Sequence, residues 1–271
     1  MKKRIMNALC MLVLGLLIML PLLLLLVQAF EPMFETQMIL VGVEPLRLWP
    51  QHPSTQVFQS LFGDAQYWHS FWTSLAWTIG SSFIQVIVSI LSGYVLAKYR
   101  AKWCQALVLV YTLLMLMPLQ MTLLPMYRVA HQSGLLNHPL LLYMPIAFAP
   151  FGTFFMRQMI LRLPDERVEF LRLEGGGTWK LLWHVIAPYC LPAALLLFAL
   201  TFTEGWNLVE QPLLLVSDPN RQPLSGYLSI LMKESSPKVF AADAMALLPV
   251  IVPLLLGTRM AGRALQKNEN E

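Results

Sequence analysis

Six stretches, each close to the ~20 apolar residues needed to cross the hydrocarbon of a bilayer, decide what this chain can fold into. They fall near 7–29, 71–95, 104–126, 139–161, 188–210 and 239–258. In lipid every backbone N–H and C=O must be satisfied internally, and runs of this length do that as helices. With 57% hydrophobic and 13% charged residues, the chain is too apolar for a soluble domain. The expected fold class is all-α, a polytopic membrane protein with six transmembrane helices.

Charge orients these spans. A net charge of +4 would suit nucleic acid, but its distribution points elsewhere. Fourteen of the nineteen lysines and arginines fall on one side. They run from Lys2, Lys3 and Arg4 through Lys98, Arg100, Lys102 and the 157–180 group to Arg259, Arg263 and Lys267. Arg47, Arg128, Arg221, Lys233 and Lys238 fall on the other. Cytoplasmic loops carry the positive excess, so both termini are expected in the cytoplasm, which six spans satisfy.

Lys2, Lys3 and Arg4 ahead of the first span imitate a signal peptide. The apolar stretch exceeds the ~7–15 residues of a signal h-region, so an uncleaved helix is expected. Residues 31–70 read as an external loop in which Pro32, Pro45, Pro50 and Pro53 discourage a continuous helix, with a short amphipathic piece near Gln56 to Phe62. Residues 218–238 read as a second external loop. Cys10, Cys104 and Cys190 have no metal or disulfide spacing and read as small core residues.

Polar residues within the spans mark packing and pathway. Gly80, Ser81, Ser82, Ser89, Ser92 and Gly93 would let the second span pack inside the bundle. Pro118, Gln120, Thr122 and Pro125 in the third are tolerated where neighbours or a cavity satisfy the freed backbone. The fifth carries Glu204, Asn207, Glu210 and Gln211. On one continuous helix, 204, 207 and 211 share a face. Glu204 lies ~18 Å beyond Pro192 at ~1.5 Å per residue, in the outer half of the membrane. An ionisable residue there lines a pathway, pairs with another polar group, or already sits at the outer interface. Glu204, Asn207 and Gln211 are the candidate translocation-path residues.

Between the fourth and fifth spans lies a polar island, Arg162 to Pro192. Pro164 followed by Asp165 and Glu166 suits a helix start. The run Gly175 to Gly177 can end that helix with left-handed backbone angles, and Thr178 can cap a second helix.

The island resembles the EAA signature of permease subunits of binding-protein-dependent ABC importers. Glu169 falls on the signature's Glu, Glu174 on its usual Asp and Gly175 on its Gly. Trp179, Trp183, Val185, Pro188 and Pro192 keep step with the carbohydrate-importer form. Phe170 and Leu171 stand where the signature has two alanines, and Ala187 where it has the Leu before Pro188. Ser92 to Arg100, Met117 to Tyr127, Gly134 to Asn137, and Phe202 with Trp206-Asn207 and Pro212 to Leu215 are also similar to the family. The likeness is to the branch of the smaller maltose permease subunit.

The chain is expected to divide into a first helix over 1–30, an external loop over 31–70, a permease core over 71–262, which the resemblance covers, and a cytoplasmic tail over 263–271. It implies that the island is a cytoplasmic coupling helix docking in a groove of an ATPase subunit. Glu169, Glu174 and Gly175 would carry the coupling, with Arg167 and Arg172 as electrostatic contacts. The implied partners are a second permease, two ATPase subunits and an extracytoplasmic solute-binding protein. The implied setting is the cell membrane, and the solute a sugar or a related polyol or glycerol phosphate.

No Gly is followed by Lys, so the chain holds no phosphate-binding G-x-x-x-x-G-K-[ST] loop. His52, His69, His131, His138 and His184 are scattered without ligand spacing, and no G-x-S-x-G occurs. The chain therefore reads as neither an enzyme nor a cofactor or metal protein. An ion-coupled secondary transporter would use Glu204 or Asp243, but leaves the island without a purpose. An integral membrane enzyme would need a carboxylate or histidine cluster that the sequence lacks.

Overall fold

The structure, a computed structural model, describes residues 2–50, 52–99, 101–173, 175–253 and 255. Among these it is helical, with no strand. The order is α1 (Lys2–Ala29), α2 (Met33–Leu40), α3 (Gln56–Phe62), α4 (Ala65–Lys98), α5 (Lys102–Met115), α6 (Leu119–Gln132), α7 (Leu140–Ala147) and α8 (Pro150–Ile160). There follow α9 (Asp165–Leu173), α10 (Thr178–Leu181), a π turn (Leu182–Ile186), α11 (Ala187–Trp206), α12 (Glu210–Leu215), a 3-10 turn (Pro219–Arg221), α13 (Leu224–Lys233) and α14 (Val239–Ala246).

Four stretches are long and apolar enough to cross a membrane: Leu9–Ala29, Ala65–Lys98, Leu140–Ile160 and Thr178–Trp206. The expected third span is instead two helices, α5 and α6, meeting at 100°. Pro118 sits at that break, fixing its own φ at −66° and offering no N–H to continue α5. The sixth is represented by a shorter apolar helix, Val239–Pro253. Both external loops hold more helix than expected. Besides the foreseen α3, residues 31–70 contain α2 and the start of α4, and residues 218–238 contain α13.

Two compact units divide the chain. In the first, residues 1–72 and 223–248, α14 packs against α1, α3 and α13. Asp64 caps α4, its Oδ1 accepting from the amides of Gln66 (3.1 Å) and Tyr67 (3.2 Å). Its Oδ2 accepts from Lys238 Nζ (2.7 Å) and Tyr227 Oη (3.0 Å).

The second unit, residues 73–222 and 249–271, contains most of α4 and the helices through α12. Helix α4 presents a buried stripe of Ser74, Thr78, Ser82, Gln85 and Ser89 ending at Gly93. Association within lipid depends on close packing rather than on expelling water, so small residues at a seam are what bring helices together. Gly93 lets α8 approach so closely that an added Cβ would lie 2.9 Å from Arg157 N and 3.0 Å from Met156 Cβ. At Gly152 a Cβ would fall 2.2 Å from Gln85 Nε2 and 2.3 Å from Ser89 Oγ. Ser92 Oγ and Thr153 Oγ1 share a 2.7 Å hydrogen bond, and Gln85 donates to the Ala149 carbonyl at 2.8 Å. Cys104 and Cys190 are buried as expected, whereas Cys10 on α1 is exposed in the single chain.

Candidate functional site

The island folds as a bracket. Helix α9 starts at Asp165, directly after Pro164, and the chain reverses at Gly175, whose φ is +74°. Only glycine holds that left-handed angle without strain. Gly176 N–H donates to Leu171 C=O at 2.9 Å, the six-to-one bond that closes a glycine-terminated helix. Gly177, in extended conformation, then caps α10, and Thr178 is the first helical residue with no capping bond. The expected cap is thus one residue earlier. Beyond α10, the π turn precedes Pro188, which has no N–H for the His184 carbonyl and crowds it.

Anchors hold the bracket to the bundle. Leu163, Val168, Leu181, Leu182 and Ile186 are buried in one core with Met156, Cys190 and Leu197, and Tyr189 Oη donates to the Arg162 carbonyl at 3.2 Å. Of the pair replacing the two alanines, Leu171 packs partly against this core while Phe170 is 64% exposed. Leu173 is 88% exposed. Glu169 is also exposed. Arg167 and Arg172 belong to α9, and Glu174 lies outside the described residues.

The second candidate site is a cavity of about 540 Å³ lined by Glu204, Asn207 and Gln211. They do not share one helical face. Helix α11 ends at Trp206, where Asn207 turns back to donate from Nδ2 to the Thr203 carbonyl at 2.9 Å. Residues 207–209 redirect the chain, and α12 brings Gln211 to the same space. Gly205 permits the close approach of α4 here, with a Cβ placed 3.2 Å from Thr78 Cγ2.

Two residues belong with this site that the candidate set omitted, Glu210 and Gln120, and a third, Asn137, holds the segment that follows α12. Glu210 also lines the cavity and accepts from Gln120 Nε2 at 3.2 and 3.3 Å. Asn137, at φ 65°, clamps the segment beyond α12. Its Oδ1 accepts from Ser217 N (2.7 Å), Ser217 Oγ (3.2 Å) and Asp218 N (3.2 Å). Its amide donates to the Leu215 carbonyl at 3.1 Å. Polar residues beside the prolines of the third span were the available signal for Gln120.

Fold and site thus define a polytopic helical membrane protein with a bracket on one polar connection and a polar cavity among broken helices. The chain belongs to the family of binding-protein-dependent transport system inner membrane components, whose profile matches residues 85–266. It is similar to the sn-glycerol-3-phosphate transport system permease protein UgpE of Yersinia pestis, 29% identical over 206 residues, 74% of this chain and 72% of that one. It is similar also to the arabinooligosaccharides transport system permease protein AraQ of Bacillus subtilis, 25% identical over 256 residues, 93% and 90% of the two chains. A chain of a bacterial ABC transporter involved in the import of the acidic polysaccharide alginate has the same fold, with TM-score 0.78, 19% identity and 95% of both chains covered.

Proposed function

We propose that this chain is a transmembrane permease subunit of an ABC importer for a sugar or a related polyol or glycerol phosphate. It has six spans and both termini in the cytoplasm. ATP is hydrolysed by two separate subunits, a second permease completes the channel, and an extracytoplasmic binding protein delivers the solute. Supporting this are the family, the relatives' glycerol-phosphate and oligosaccharide transport systems, and the absence from the sequence of any ATP-binding loop.

The observation that carries the coupling role is the bracket itself. Gly175 at φ +74° sets the exit angle of α9, and Phe170 and Leu173 stand exposed on a short helix whose other apolar residues reach the core. Such knobs suit a groove in a partner. In this role α9 docks on the ATPase subunit through Glu169, Glu174 and Gly175, with Arg167 and Arg172 as charge contacts. Glu204, Asn207 and Gln211 line the solute path. ATP-driven closure of the ATPase pair shifts the bundle only insofar as the closed pair binds one permease state more tightly.

The test is ATP hydrolysis by the reconstituted complex with and without loaded binding protein. Gly175→Val carries ~1–2 kcal/mol of backbone strain, too little to unfold the bundle but enough to turn α9. That variant and Glu169→Lys are expected to co-purify with their partners yet lose the stimulation. Full stimulation in both overturns the coupling role.

A further inference from the structure

We propose that the cavity at the end of α11 accepts uncharged polyhydroxy solutes and turns anions away, so that neither glycerol phosphate nor an acidic sugar is its cargo. This narrows the importer function proposed above and stands on it. Two carboxylates, Glu204 and Glu210, line the cavity, and no lysine, arginine or histidine does so among the described residues. No group of three His, Cys, Asp or Glu that could hold a metal ion occurs among them either.

Hydrogen-bonding capacity points the same way. Polar donors of the cavity wall, Thr122 and Asn207, and Gln120 beside it, bond within the protein. Thr122 Oγ1 donates to the Leu119 carbonyl at 2.7 Å, Asn207 Nδ2 to the Thr203 carbonyl at 2.9 Å, and Gln120 Nε2 to Glu210. Acceptors remain open. Gln211, only 3% exposed, lines the cavity with its Oε1 buried and unpartnered. The Glu204 carboxylate lines the same cavity and is exposed there. The buried Gln211 oxygen is costly to leave unmatched, so it asks for a donor from the cargo, and the exposed carboxylate can accept a second.

Sugar and polyol hydroxyls donate, and so satisfy carboxylates and an amide oxygen together. Phosphate and uronate groups are ionised at neutral pH and bring acceptors to acceptors. The second amide hydrogen of Asn207 and the amide of Gln211 are the donors that remain, and they do not offset two carboxylates. A cleft of one sign concentrates counter-ions by ~10–10³-fold and depletes co-ions correspondingly.

Two measurements on the full importer test this. The first uses Thr122→Cys in a Cys10→Ser background, with Val209→Cys as a second probe should the first not assemble; Cys104 and Cys190 are buried. Reaction rates with cationic trimethylammonioethyl and anionic sulfonatoethyl methanethiosulfonate are compared with those of free glutathione. The cation preference is expected to exceed that of glutathione by ~10-fold or more and to fall in Glu204→Gln and Glu210→Gln. A preference equal to that of glutathione overturns the proposal. No reaction with either reagent in any nucleotide state removes the solute-path role itself, and the proposal with it. In the second measurement, proteoliposomes supplied with the cognate binding protein should accumulate neither sn-glycerol 3-phosphate nor alginate oligosaccharide with ATP. ATP-dependent accumulation of either overturns the proposal while leaving the importer function standing.

Discussion

The seam between α4 and α8 is expected to be the part of the second unit least tolerant of added volume. At Gly93 an added Cβ meets backbone, with Arg157 N at 2.9 Å and the Met156 carbonyl carbon at 3.1 Å. Backbone cannot rotate aside, so in Gly93→Val the helices must part. Overpacking costs ~1–3 kcal/mol. Separation also strains the Ser92–Thr153 bond at 2.7 Å, and such bonds within membranes average ~0.6 kcal/mol. Valine's better helix propensity returns ~0.4 kcal/mol. The net destabilisation is about 1–3 kcal/mol, which lowers the apparent melting midpoint by roughly 2–12 °C. The assay is the thermal stability of the detergent-solubilised complex, followed by size-exclusion chromatography. Gly80→Val is the control, since nothing lies within 4 Å of a Cβ there. Equal midpoints for the two variants would refute close backbone approach as the reason for glycine at 93.

Asn137→Ala removes three hydrogen bonds accepted by one side chain and places alanine at φ 65°, so α12 and the following segment should loosen by about 2–3 kcal/mol. Hydrogen exchange at 215–218 should rise there and less so in Asn137→Gly; unchanged exchange in both counts against the clamp. Burial alone would raise the Asp64 carboxyl, but hydrogen bonds from Lys238, the Tyr67 amide and Tyr227 hold it below the usual carboxylate range. A lowered value stabilises the fold above the unfolded pKa of ~3.9 and ceases to do so as pH falls through the folded value. Asp64→Asn should therefore cost about 1–2 kcal/mol of stability at pH 7 and lower the melting midpoint, with the difference from wild type closing below pH ~4. A difference that does not change with pH would contradict this.

Much of this was legible because the bilayer leaves few choices. Apolar length located four spans as single helices, and small residues marked the second as one that packs within the bundle, although Gly80 itself borders open space. Gly175 was readable as a left-handed helix end because its neighbours already suited a helix–turn–helix. What escaped depends on neighbours. Pro118 breaks its span while Pro125 sits inside α6, and nothing local distinguishes the two. The shared face of 204, 207 and 211 assumed a continuous helix, but Asn207 ends α11 by donating to the Thr203 carbonyl. Gln120 and Glu210 meet across 90 residues, a pairing that one sequence does not display.

The central claim is that α9 docks on an ATPase subunit, and cross-linking tests it most directly. Phe170→Cys, at a position 64% exposed in this chain, should form a disulfide with single cysteines placed along the groove of the co-purified ATPase subunit. The yield should change between nucleotide-free and ATP-bound complexes, while Val168→Cys, buried at 2% exposure, should not cross-link. Absence of any cross-link from Phe170→Cys in an assembled complex that hydrolyses ATP normally would contradict the account.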